Sequence, residues 1–174
     1  MKSAAILCPG PSLAGMLGRP FRQEYDLLIG VNRAVEAFEC DYWVALDVRT
    51  FGMTSPLGTP ILVASRRHYK RVTHEWPEAR RFQHLDHHSL KVPQLTSTWT
   101  TKGLLTAIVL AFTRDAQVID CYGVDWAGVQ DFDGKTFPKQ IRTPKRWEKE
   151  AQQFEQLRTA LGERGVMVQR VRRV

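Results

Sequence analysis

Several places in the chain set polar or charged residues where chemistry could use them. The first is Pro9-Gly10-Pro11-Ser12, directly after the apolar run Ser3 to Cys8. A strand that breaks at a glycine turn and reopens as a helix presents outward backbone N–H groups and a positive dipole end, a ready seat for a phosphate. Gly10 permits close backbone approach and Pro11 fixes φ. The stretch falls short of a GxGxxG fingerprint and lacks the lysine of a P-loop. An ordinary strand-to-helix turn capped by Ser12 would use the same residues.

Asn32 and Arg33 follow the next apolar run, Tyr25 to Val31. An Asn side chain both donates and accepts hydrogen bonds, so Asn32 can read a ribose or a base edge; its simpler role is that of a turn residue. Asp47 ends a third run, Asp41 to Asp47. The stretch Thr96 to Thr101 carries five hydroxyls ahead of Gly103. Thr100 or Thr101 alone would cap the following helix, and the surplus of hydroxyls favours a polar ligand. Asp125 and Trp126 come just past the run Gln117 to Tyr122. A carboxylate there binds a ribose, holds a metal, acts as a base, or caps the next loop. Arg142, Lys145 and Arg146 crowd the start of the last helix. Cations there oppose the helix dipole, at about 0.3–1 kcal/mol each when exposed. An anion between them accounts for the placement, and a diphosphate suits, because Arg binds it bidentately. A tolerated surface cluster is the plain alternative. The histidines His84, His87 and His88 with Asp86 show no second ligand group at metal spacing and read as a polar loop.

The elements that must position these residues alternate. Strands are expected over Ser3–Cys8, Tyr25–Val31, Asp41–Asp47, Pro60–Ser65, Gln117–Tyr122 and Val166–Val171. Helices are expected from Ser12, over Lys102–Thr113, and from Pro144 to Gly165. Lys102–Thr113 is apolar nearly all round, which places it in the interior. Thr143 and Pro144 supply an N-cap and a first helical residue, and Trp147, Ala151, Phe154, Leu157 and Leu161 share one face. Residues 66–94 hold all five histidines and read as polar and basic, with a short helix and a short strand. The alternation describes an α/β fold: a single Rossmann-like domain over residues 1–174, with a largely parallel sheet and helices on both faces. Ligands of such sheets bind at the carboxyl ends of the strands, near a switch point. Gly10, Ser12, Asn32, Arg33, Asp47, Asp125 and Trp126 all follow strands, so they should meet on one rim.

With 174 residues, 43% of them hydrophobic and 25% charged, the chain has the size and balance of one globular domain. No apolar run has transmembrane length and no signal-peptide core is present, so a cytoplasmic protein without a membrane partner is expected. Cys8, Cys40 and Cys121 are odd in number and far apart, which points to buried free thiols. The net charge of +7 admits nucleotides, nucleic acid or acidic surfaces as partners without choosing among them.

Four stretches resemble, in order, the Rossmann-like superfamily of the bacterial family 42 sialyltransferases and the DUF115 proteins, which include the archaeal 6-hydroxymethylpterin diphosphokinases. AILCPGPSL (Ala5–Leu13) is similar to the family's first strand followed by GNGPSL. YDLLIGVNRA (Tyr25–Ala34) is similar to its second strand ending in Asn. TKGLLTAIVLAF (Thr101–Phe112) is similar to its T-S-G helix start, and VIDCYGVDWAG (Val118–Gly128) to its I-Y-L-x-G-x-D-F strand end. The resemblance implies Gly10 and Ser12 near phosphate, Asn32 near the base or ribose, Thr101 and Gly103 near the nucleotide, and Asp125 on the pocket floor. Three departures stand out. Pro9 replaces the family's Asn, Lys102 replaces the Ser of T-S-G, and no His follows His88, whereas the sialyltransferases use a later His as base.

The residues therefore lead to a transferase with a nucleotide-activated donor, foremost a nucleotide sugar, as substrate; the acceptor is unassigned. In that reading Gly10, Pro11, Ser12, Asn32, Arg33, Asp47, Thr100, Thr101, Gly103 and Trp126 bind the nucleotide. Arg142 and Arg146 stabilise the leaving phosphate, and Asp125 or Asp47 is the base. One alternative is a diphosphokinase-like phosphoryl transfer, which needs Mg²⁺ on carboxylates such as Asp47, Asp125, Asp131 and Asp133. The other is a non-catalytic module that binds nucleotide or nucleic acid.

Overall fold

Short, continuously apolar runs separated by helices cannot leave one sheet face in water, and the chain buries both. The computed structural model describes residues 1–47, 50, 53–64, 83–84, 102–136 and 142–172. Its strands are β1 (Ser3–Leu7), β2 (Leu27–Val31), β3 (Tyr42–Val44), β4 (Ile61–Ala64), β5 (Gln83–His84), β6 (Val118–Tyr122) and β7 (Met167–Arg170). They form one sheet in the order β5-β4-β3-β2-β1-β6-β7. Every pairing is parallel. The chain steps outward from β1 to β5, returns across the sheet, and adds β6 to the other side of β1. The winding reverses between β1 and β6, so this is the switch point of a Rossmann-like α/β sheet.

Helical segments cover both faces, unequally. On one side lie α2 (Gly103–Thr113) and α3 (Pro144–Gly162). They pack on Ala4, Ile6, Ile29, Val31, Ile119 and Cys121. All residues from Leu104 to Ala111 are buried, as the apolar circumference of α2 requires. Thr143 caps α3 by accepting the Arg146 N–H, with Pro144 as first helical residue. Phe154, Leu157 and Leu161 form the buried face of α3, and Trp147 and Ala151 are half-buried.

The other side carries only short pieces: α1 (Phe21–Glu24) and two 3-10 segments, Pro11–Met16 and Asn32–Glu36. Their Leu13, Phe21 and Val35 close over Leu7, Leu28, Trp43 and Tyr122. The segment opened near Ser12 is thus a 3-10 helix rather than an α-helix, and its N-cap is Gly10 without a side-chain hydrogen bond. The expected Ser12 cap does not form, because Ser12 lies inside the segment, past its N-cap; the Ser12 amide donates to a carboxylate from the far side of the switch point. Within residues 66–94 the structure describes only the short strand β5; the helix expected there lies outside the described residues.

All three cysteines are buried and free. Burial pushes the Cys40 thiol up to about 12 and raises Cys8 and Cys121 as well, so none is a nucleophile at neutral pH. Among the described residues no helix is long and apolar enough to cross a membrane.

Gly123 adopts φ +68°, and a Cβ on it would lie 2.0 Å from the Cys8 carbonyl oxygen. Gly123→Ala should therefore cost more than the roughly 1–2 kcal/mol of left-handed strain alone. Urea unfolding of both proteins measures the difference.

Candidate functional site

The ends of β1 and β6 are fastened in step. Cys8 N–H donates to the Tyr122 carbonyl at 2.9 Å and Gly10 N–H to the Gly123 carbonyl at 3.1 Å. Ser12 N–H donates to Asp125 Oδ2 at 2.7 Å. Gly10 has no room for a side chain: a Cβ would lie 2.2 Å from the Gly123 oxygen and 2.5 Å from Asp125 Oδ2. Gly10, Pro11, Ser12 and Asp125 are brought together as expected from the sequence. One amide of the expected anion seat already holds a carboxylate, however, so Asp125 fastens the turn.

On the other flank of β1, Asn32 sits at the end of β2 with φ +50°. Its carbonyl accepts the Trp43 indole N–H at 2.9 Å, which holds this unusual backbone in place. Gly103 opens α2 directly over β2: a Cβ there would lie 2.7 Å from Val31 Cγ1 and 4.0 Å from Asn32 Nδ2. Asn32 and Gly103 therefore share one corner. The N-cap of α2 is Lys102, which makes no side-chain cap hydrogen bond. Thr100 and Thr101 lie outside the described residues. Asp47, beyond β3, accepts the Thr50 N–H through its carbonyl at 2.9 Å.

Above β6 and the start of α2 a group of charges gathers that the sequence signals only in part. Lys102 is partly buried, and burial together with the nearby Arg146 and Lys149 lowers its pKa from the ordinary lysine value; Glu150 acts the other way. Burial raises the Glu150 carboxyl, against the pull of Lys102 and Arg146. Buried Nε of Arg146 meets no hydrogen-bond acceptor, whereas the Trp126 indole N–H is turned toward the Glu150 carboxylate and helps hold its pKa down. Trp126 has φ +49°. Arg170 stacks 4.7 Å from its ring centroid, and Phe154 packs at 5.3 Å. Lys102 and Glu150 were not among the expected site residues. Glu150 was findable: it lies four residues after Arg146 and four before the buried Phe154, on the inward edge of α3.

Arg33 and Arg142 serve elsewhere. Arg33 bonds Asp131 at 3.1 Å, Glu36 at 2.8 Å and Asp133 at 2.5 Å. Arg142 bonds the other oxygen of Asp131 at 2.7 Å and the Val129 carbonyl at 2.7 Å. Asp131, with its side chain 2% exposed, thus bridges two arginines. The Arg33 hydrogen bonds hold the Asp133 carboxyl below its ordinary value. These arginines, expected on a nucleotide, clamp the β6–α3 loop, whose Phe132 N–H also reaches the Pro9 carbonyl at 2.8 Å.

The carboxylates proposed for Mg²⁺ are distributed over these separate tasks. Among the described residues no three His, Cys, Asp or Glu side chains gather closely enough to hold a metal ion.

Fold and site together define a Rossmann-like α/β protein in which Lys102 feels Arg146 and Lys149 beside the start of α2. No family model matches the chain, and no curated protein matches it. Among solved structures it is similar to a probable thiamine pyrophosphokinase from Staphylococcus saprophyticus subsp. saprophyticus. The two are 11% identical with a TM-score of 0.49, over 97% of this chain and 64% of that one. The chain thus spans less than two thirds of that protein's length. The four-motif likeness to the sialyltransferases has no counterpart in these findings.

Removing one member of a buried ion network leaves the others uncompensated. Asp131→Ala, which strands two arginines, should lower the unfolding free energy by about 3–5 kcal/mol. Chemical denaturation at neutral pH measures this.

Proposed function

We propose that the chain is a transferase that takes a diphosphate-bearing nucleotide as donor at the switch point. The observation that carries this reading is the convergence of Lys102, Arg146 and Lys149 beside the start of α2. Like charges brought together with partial burial repel, and an anion turns that cost into attraction. The buried Arg146 Nε without an acceptor is a donor that such an anion would satisfy. The N-terminal amides of α2 add a second positive element, with no side-chain cap in the way.

In this reading Lys102, Arg146 and Lys149 hold the diphosphate and stabilise negative charge as it develops there. Asn32 and Gly103 bound the neighbouring corner. Asp125 keeps the β1 turn in register through Ser12 and leaves Oδ1 as a candidate base. Transfer of a group away from the diphosphate, as from a nucleotide sugar, asks only for these cations. Transfer of the diphosphate itself would need Mg²⁺ as well, held by one or two carboxylates and the substrate phosphates.

The test is a thermal-shift titration with inorganic diphosphate and with ADP, GDP, CDP and UDP, with and without Mg²⁺. A ligand at 100 times its Kd adds about 2.7 kcal/mol. A metal-independent shift that is lost in Arg146→Ala and Lys102→Met supports the reading. Product analysis with the matching donor then separates the two reactions. Release of the nucleoside diphosphate marks group transfer from it, and a nucleoside monophosphate with a diphosphorylated acceptor marks the diphosphokinase. Absence of any shift would overturn the proposal.

The charge cluster also fixes a pH dependence. A bound anion favours protonated Lys102, whose pKa is depressed in the free protein, and protonated Glu150, whose pKa is raised. Both effects take up protons on binding. Diphosphate affinity, measured by calorimetry, should therefore fall as pH rises toward the alkaline range, and Lys102→Arg should flatten that fall.

A further inference from the structure

Beside the cation cluster the surface opens into a groove of about 530 Å³ between the loop after β6 and the first turns of α3. Trp126 and Val129 line it from the loop, and Pro144, Trp147 and Ala151 from the helix. The Trp147 indole N–H donates to the Gly128 carbonyl at 3.3 Å, which ties that ring to the opposite wall. Trp126 is set by Arg170 and Phe154. Two indoles, one set by Arg170 and Phe154 and the other tied across the groove to Gly128, form a preorganised aromatic lining.

We infer that this groove takes the nucleobase of the donor, on the α3 side of the switch point and away from Asn32. The inference rests on the proposed diphosphate site. Trp147 directly follows Arg146 on α3, and Trp126 adjoins Glu150, which feels both Arg146 and Lys102. The groove and the cation cluster therefore share a wall, the arrangement a base and its phosphates require. A phosphate does not belong in the groove: the Glu148 carboxylate lines it, and Arg142 there is already bonded to Asp131. An uncharged planar ring loses nothing to Glu148 and gains contact with the indoles.

The experiment measures tryptophan fluorescence and calorimetric affinity for inorganic diphosphate, the four nucleoside diphosphates and the four free nucleosides. The expected result is one nucleoside diphosphate that binds roughly tenfold or more tightly than inorganic diphosphate and quenches the indoles. Trp147→Ala should remove that advantage and leave inorganic diphosphate affinity unchanged, while Trp147→Phe, which keeps a ring, should retain most of it. Thermal melting confirms that both variants fold. Equal affinity for diphosphate and every nucleoside diphosphate would overturn the groove assignment while leaving the diphosphate site standing, and so would a base preference that survives Trp147→Ala. Quenching by a free nucleoside that depends on Trp147, without any diphosphate affinity, would support the groove and overturn the diphosphate site. No binding of any probe would overturn both.

Discussion

The fastening of β1 to β6 is the constraint on which the rest of the structure depends. Three amides climb the two strand ends in step, those of Cys8, Gly10 and Ser12, onto Tyr122, Gly123 and Asp125. Two glycines make the approach possible, and each would clash with the opposite backbone if it carried a side chain. At a parallel switch point the two connections leave in opposite directions, so the crevice between them tends to gape. Here the turns are drawn together at their base. Lys102, Arg146 and Trp126 stand outward of that base, toward the helices. An Asp in the anion seat is part of that fastening.

The sheet and its long helices were legible because their signals are independent of context. β-Branched and aliphatic runs of strand length gave six of the strands within a few residues of their observed bounds. The cap and first residue of α3, Thr143 and Pro144, were visible because capping is a local hydrogen-bond problem. The tie from the Ser12 amide to Asp125 is not legible, because its partner arrives from 113 residues away. No window around Ser12 contains that information.

The meeting of the strand ends at the switch point was legible, and the partners of the arginines near it were not. Arg33 and Arg142 were chosen as anion binders because each follows a strand or opens a helix. Their partners, Asp131 and Asp133, lie in a glycine-containing loop whose course the sequence does not specify. Arg142 precedes the N-cap of α3 and Arg146 lies in its first turn, and the first joins a buried ion pair while the second keeps a buried Nε without an acceptor. Lys102 was read as a departure from a motif rather than as a cation in its own right. Its meaning depends on α3 lying beside α2, which only packing decides.

The position of β1 in the sheet has a further consequence, for the order in which the molecule is assembled. Ala4 pairs with Leu27 on one side and with Ile119 on the other. The first contact closes a short loop, whereas the second must close nearly the whole intervening chain, an entropic cost that grows with loop length. The β1–β2 half can therefore form early, while the crevice waits for β6 and the last helix. A chain emerging from synthesis holds the open edge of β1 uncovered for most of its length. Asp125 and the residues of α3 join Gly10 and Ser12 only late, so a half-made chain carries the centre of the sheet without the contacts that fasten it.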